Sequence, residues 1–197
     1  MGNMKRDFIR SFISIAIAPQ VLEKIRGYQE ELKKKVAKTT NRVSWVKPET
    51  IHLTLKFLGD IPVNQINSII TSLQRAADGI EAFSLNFEGL GVFPNLQKPR
   101  VIWIGISEGI DPLQKLHLRV EQELAKTGIE REKKKFSGHL TLGRIRTLGN
   151  ARALHDLLLS VPSPVAGLSA VRDIRLMKSE LRPSGAVHTE LGRISLS

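Results

Sequence analysis

One tetrapeptide, His-Leu-Thr-Leu, occurs twice in this chain, at residues 52–55 and again at residues 139–142. Each copy lies in an alternation of polar and apolar residues, Ile51-His52-Leu53-Thr54-Leu55-Lys56-Phe57 and Gly138-His139-Leu140-Thr141-Leu142-Gly143. A period of two predicts a strand with one buried face. The flanks repeat as well. Phe8 to Ile17 alternates like a strand, Pro19 stands where a first helical residue would, and Leu22, Ile25, Leu32 and Val36 follow at helical spacing. In the second half Val101–Ile106 reads as the strand and Asp111-Pro112 as a capped helix start. Leu113, Leu116, Val120 and Leu124 then mark the buried face of a helix ending near Gly128. A helix at about 63–76 and a strand at 83–93 complete the first half. A shorter helix at about 151–159, a strand at 171–178 and a last strand near 187–196 complete the second. Both halves therefore read strand, helix, His-x-Thr-x strand, helix, strand. A duplication on this scale constrains the fold more than any single motif, because repeated units bury their apolar faces against each other.

Side chains alternate along a strand, so His52 and Thr54 share one face while Leu53, Leu55 and Phe57 share the other. His139 and Thr141 are placed in the same way against Leu140 and Leu142. An approximate two-fold relation between the halves would bring both His/Thr pairs to one cleft. In-line displacement at phosphorus needs a base on the attacking oxygen and an acid on the leaving oxygen. Two histidines, each with an ordinary pKa near 6.5, can share those roles at neutral pH. Threonine hydroxyls can donate to the non-bridging oxygens, where charge develops. The two histidines lie on separate elements with no third metal ligand near them in sequence, so neither a metal nor another cofactor is expected.

The 197 residues are 41% hydrophobic, enough for one domain with its own core. There is no cysteine, which excludes disulfides, thiolate nucleophiles and Cys-type zinc sites. Thirty Lys+Arg against 19 Asp+Glu give a net charge of +11, which favours anionic partners such as nucleic acid. The apolar stretch Phe8–Ala18 is interrupted by Arg10 and is shorter than the roughly 20 residues of a membrane helix. A cytoplasmic monomer with no membrane contact is the expectation. Met1–Asp7 is basic enough to mimic the start of a secretion signal, but no cleavage site stands clear of the following helix.

The run from Arg42 to Asp60, with His52, Thr54, Lys56 and Phe57 inside it, closely resembles the first motif region of the bacterial and archaeal RNA 2',3'-cyclic phosphodiesterases. This family was first described as 2'-5' RNA ligases and belongs to the two-histidine phosphoesterases. Phe136-Ser137-Gly138-His139-Leu140-Thr141-Leu142-Gly143-Arg144 is similar to its second motif. The strand Arg10–Ile17 and Val101–Ile106 with Trp103 fit too, and the resemblance covers essentially the whole chain. It implies an α+β, bilobal, duplicated fold: two antiparallel-rich sheets flanking a central cleft, with helices outside. The lobes would be about 1–98 and 99–197, with the terminal strand free to cross. It also implies metal-independent hydrolysis of a terminal 2',3'-cyclic phosphate on RNA, single-stranded or tRNA-derived, to a 2'-phosphomonoester. His52 would protonate the leaving 3' oxygen, His139 would activate water, and Thr54 and Thr141 would hold the phosphate. The chain departs from the family at Gly138, where proline is usual, and at His188, where a tyrosine is common.

Of the basic residues, Lys56 has the parity of His52 and is the expected phosphate contact. Arg144 could clamp a phosphate bidentately, but strict alternation puts it on the face opposite His139, so it needs a bulge to reach the cleft. Lys133-Lys134-Lys135 runs into the second motif and is a candidate to track phosphates. Lys33-Lys34-Lys35 reads as a solvated helix face. Trp45, Phe57 and Trp103 are the aromatics that could stack on a base, and each fits a core position equally well. His117 and His155 fall in helical patterns and are expected to be structural. Two further readings remain: the same chemistry run toward 2'-5' ligation of tRNA halves, and a non-catalytic RNA- or nucleotide-binding module of the same fold.

Overall fold

A computed structural model describes residues 7–183 and 185–197. Nearly all of the basic leader Met1–Asp7 lies outside the described residues. In chain order the elements are β1 (Phe8–Ile15), α1 (Pro19–Val36), β2 (Arg42–Trp45), β3 (Leu53–Pro62), α2 (Ile66–Ala77), β4 (Phe83–Phe93) and β5 (Val101–Glu108). Then follow α3 (Ile110–Ala125), β6 (Leu140–Thr147), α4 (Ala151–Ser160), β7 (Val165–Val171), β8 (Asp173–Arg182) and β9 (Gly185–Ser195).

The strands lie in the order β7-β4-β5-β6-β3-β1-β8-β9, with β2 added beside β6. Every pairing is antiparallel. This order reads as a palindrome about the β6/β3 junction: β6 corresponds to β3, β5 to β1 and β4 to β8. One wing is β3-β1-β8-β9 and the other is β6-β5-β4-β7 with β2. The wings mix the two sequence halves, because β4 crosses to the wing of β5 while β8 and β9 cross to the wing of β1. The wings meet at a single ladder pair, Leu53 with Leu140, so two antiparallel sheets run into one.

The core explains the arrangement. Leu53, Leu55, Leu140 and Leu142 are all at most 1% exposed, and Ile13, Ile15, Ile102 and Ile104 of the neighbouring strands join them. Each such side chain contributes about 1.5–3 kcal/mol on burial. Ile25 and Leu32 of α1, Ile69 and Leu73 of α2, Leu116 and Val120 of α3 and Leu154 of α4 bring the helix faces into the same cluster. α1 reaches the wing of β6, whereas α2 and α3 pack together behind the wing of β3. Helix α3 begins at Ile110, ahead of the Asp111-Pro112 start read from sequence. Gly109 precedes it at φ 82°, and a Cβ there would collide with the Ser84 carbonyl. Strands β2 and β7 were not visible in the pattern: β2 is only four residues with two polar side chains, and Val171 closes β7 two residues before β8 opens. Among the described residues no helix is long and apolar enough to cross a membrane.

Candidate active site

The sequence pattern places both histidines within their strands; the ladders begin one residue later, at Leu53 and Leu140. The local build is the same twice. His52 Nδ1 lies 2.8 Å from the Thr50 carbonyl and His139 Nδ1 lies 2.7 Å from the Ser137 carbonyl. A carbonyl only accepts, so in each ring Nδ1 carries the proton and Nε2 is left to exchange one. The Leu53–Leu140 pair then sets the relation between the copies. In an antiparallel ladder its flanking positions oppose each other, His52 against Thr141 and Thr54 against His139. Both leucines point into the core, so all four polar residues share the opposite face.

Strict alternation fails three residues past each histidine, and it fails for the same reason. Ile13 pairs with Lys56 and Ser14 with Thr54, which leaves Leu55 as an extra residue. Ile102 pairs with Gly143 and Trp103 with Thr141, which leaves Leu142 extra. Each bulge shifts the parity of the rest of its strand. Lys56 therefore turns to the core beside Ile13 and is 2% exposed, so it is not the phosphate contact expected from the sequence. Its ammonium donates to Glu121 Oε1 of α3 at 2.6 Å and to the Glu130 carbonyl at 2.8 Å. Phe57 turns the other way, opposite Phe12, and stands 58% exposed on the cleft face. Arg144 by the same shift shares the face of Val101 and Thr141 and lies near enough to His139 for its charge to act on that ring. Each bulge is pinned from behind. The buried amide of Gln29 on α1 donates to the Leu142 carbonyl at 2.8 Å, and Glu121 holds Lys56 next to Leu55.

Aromatic rings enclose both histidines. Phe12 stacks on His52 with centroids 4.8 Å apart, and His188 of β9 meets both edge-on, at 5.3 Å from His52 and 5.0 Å from Phe12. Phe93 and Trp103 flank His139 at 4.9 and 6.2 Å. Trp103 fits there because Gly91 opposite it has no side chain; a Cβ at Gly91 would fall inside the indole ring. Burial in these pockets pushes His52 down to about 4, with the nearby His188 adding to the effect and the Thr50 carbonyl opposing it. Burial also lowers His139, helped by the Arg144 charge, and lowers His188. Both imidazoles of the motif pair are therefore neutral in the free protein at pH 7.

Phe12 and Phe93 were not readable as site residues, because each reaches the cleft from a strand with no motif of its own; His188, which the sequence puts on the last strand where the family commonly has a tyrosine, joins them there. Trp45 packs on Gly143 at the core face, away from the cleft. Lys133, Lys134 and Lys135 are exposed, but the loop carrying them is tied behind the sheet through Glu130 and the Glu132 amide, the latter donating to Glu121 Oε2 at 3.1 Å. His117 is buried and stacks on Phe136 with centroids 4.1 Å apart, while His155 sits beside Asp156 at the surface.

Two paired wings that present mirrored His-x-Thr strands to one face define the class, that of the LigT-like phosphoesterases. Escherichia coli LigT, solved with 3'-AMP, superposes with a TM-score of 0.77 at 22% identity, covering 97% of this chain and 99% of that one. A Thermus thermophilus protein superposes with a TM-score of 0.71 at 28% identity, over 95% of this chain and 98% of that one. Residues 15–103 match the family described as LigT like Phosphoesterase. The RNA 2',3'-cyclic phosphodiesterase of Aquifex aeolicus is 33% identical over 182 residues, 92% of this chain and 94% of that protein. That of Archaeoglobus fulgidus is 33% identical over 183 residues, 93% of this chain and 98% of that protein. The chain belongs to the RNA 2',3'-cyclic phosphodiesterases, an enzyme family of LigT-like phosphoesterases.

Proposed function

We propose that this chain hydrolyses a terminal 2',3'-cyclic phosphate on RNA to a 2'-phosphomonoester without a metal ion, using His52 and His139 as an acid/base pair. The observation that carries the reading is the Leu53–Leu140 ladder pair, which sets each motif histidine against the threonine of the other motif. The names of the Aquifex aeolicus and Archaeoglobus fulgidus relatives supply the substrate class.

Water attacks phosphorus from the side opposite O3' and gives up its proton to His139 Nε2. The bond from phosphorus to O3' breaks, and His52 Nε2 donates its proton to that oxygen. The product carries a 2'-phosphate and a free 3'-hydroxyl. The direction of the pair follows the family resemblance, since the local geometry of the two histidines is alike. Free His52 is depressed to about 4. The arriving phosphodiester is an anion next to the imidazole and raises its pKa again, so substrate binding loads the acid. Thr54 and Thr141 donate to the non-bridging oxygens and Arg144 supplies the cation that faces them. Phe57, exposed beside Phe12, offers its ring to the terminal base.

The test is hydrolysis of a short RNA with a 2',3'-cyclic phosphate end, in EDTA, by wild type, His52→Ala and His139→Ala. Wild type is expected to form the 2'-phosphate, and each variant to be slower by at least about a hundredfold, the scale of one general acid or base. Wild type that binds the RNA without turnover, or two variants that remain active, would overturn the reading.

A further inference from the structure

On the wing of β3 most surface cations are neutralised, with exposed Arg10 of β1 the exception. Arg175 projects from the face of Thr54 and Ser14 and is neutralised by Asp173 at 2.8 Å and Glu190 at 3.6 Å. Arg193, its cross-strand neighbour, bonds Glu190 at 3.0 Å, and Lys178 and Arg182 share Glu180. The cations of β2 and β6 are used differently. Arg42 on β2 lies two residues from Ser44, which is opposite Arg144. Val43 and Ile145 between them pack on the core, so Arg42 and Arg144 share the cleft face. Arg146 is the extra residue where β2 and β6 slip register, between Ile145 and Thr147. Arg42, Arg144 and Arg146 are exposed, and among the described residues none has a carboxylate partner within 4.0 Å.

Unneutralised Arg144 and Arg42 on the cleft face, with exposed Arg146 at the register slip beside Arg42, are complementary to a chain of phosphates. From Arg144, whose charge acts on His139, these arginines lead along β2 and β6 away from the reacting end. Lys133, Lys134 and Lys135 lie between Glu132, tied to Glu121, and the second motif, on a segment separate from β2 and β6. We propose that the RNA strand on the 5' side of the reacting terminus leaves the cleft across β2 and β6, with Arg42 and Arg146 holding its backbone phosphates. This rests on the cyclic phosphodiesterase reading and adds to it a surface that a cyclic mononucleotide cannot use.

The experiment compares wild type, Arg42→Glu/Arg146→Glu and a charge-matched control on α1, Lys34→Glu/Lys35→Glu. Two substrates are used, a ten-nucleotide RNA ending in a 2',3'-cyclic phosphate and a 2',3'-cyclic mononucleotide. The cleft-wing variant is expected to lose about tenfold or more in kcat/KM on the RNA at low salt while staying within about twofold on the mononucleotide. Its salt dependence on RNA should flatten by about 0.7 in logarithmic slope per lost contact. The control should track wild type on both substrates. Arg42→Gln/Arg146→Gln should move in the same direction by a smaller factor. Equal losses on RNA and mononucleotide, an unchanged RNA rate, or an equal loss in the control would overturn the proposal. Anisotropy with a ten-nucleotide RNA bearing a terminal phosphate separates this from the reaction itself. If wild type turns over neither substrate the hydrolase reading falls, yet weakened RNA binding in the cleft-wing variant still supports the track and unchanged binding still sinks it.

Discussion

Replacing Glu121 with glutamine tests the placement of Lys56 most directly. The two side chains are 1% and 8% exposed, with Nζ and Oε1 2.6 Å apart. Glutamine keeps the size and an acceptor, so the 2.8 Å bond from Lys56 to the Glu130 carbonyl is undisturbed. The counter-charge is lost, and an ammonium stays inside the sheet–helix interface without one. Breaking a buried pair in this way costs about 3–5 kcal/mol. For a chain of this size each kcal/mol lowers Tm by about 2–4 °C, so the drop should lie at about 6–20 °C. Lys56→Met/Glu121→Met should recover part of the loss, because an apolar pair removes the uncompensated charge. Recovery will be incomplete, since the Glu130 carbonyl and the Glu132 amide lose partners worth about 1–3 kcal/mol each. Calorimetry or urea unfolding reads all three proteins. The same loop runs on to Ser137, whose carbonyl orients His139, so kcat should fall more than KM rises. A Glu121→Gln protein melting within about 2 °C of wild type, with the double variant no better, would refute the reasoning.

Stability should also fall in mild acid. His52, His117, His139 and His188 all have folded pKa values below 6.5, so the unfolded chain binds more protons between that value and the folded ones. Their contribution is fully present above about pH 6.5 and is lost as pH falls toward 4; His52 alone accounts for at most about 3 kcal/mol. A His52→Gln protein should therefore show a shallower decline in Tm from pH 7 to 4.5, and an identical decline would count against the burial argument. Carbon- or nitrogen-detected titration of the His52 ring should give a pKa near 4 in the free protein, moving upward when inorganic phosphate is added; no movement would detach that ring from the phosphate site. Arg144→Ala should lower kcat/KM about a hundredfold on any cyclic phosphate substrate, as loss of a group facing developing charge does. Phe57→Ala should act mainly through KM, by about tenfold, in line with base–aromatic stacking of about 1–3 kcal/mol.

The sequence by itself determined the elements that repeat and which four polar residues, two from each motif, share one face of their strands. Two identical tetrapeptides in matching surroundings are a local signal, and alternation around a strand start tells which side chains share a face. His52, Thr54, His139 and Thr141 were legible for that reason. What lay beyond the third residue of each motif was not legible. A bulge leaves no mark on an alternating sequence, and the extra residues Leu55 and Leu142 are set by the strands paired beside them. Those two shifts sent Lys56 inward to Glu121 and brought Phe57 and Arg144 out to the cleft. The crossing of β4, β8 and β9 between wings, the arrival of Phe12, Phe93 and His188 around the histidines, and the unpaired arginines on β2 and β6 are likewise decisions of tertiary structure. Each depends on which strand lies next to which, and neighbours distant in sequence impose that through pairing and packing.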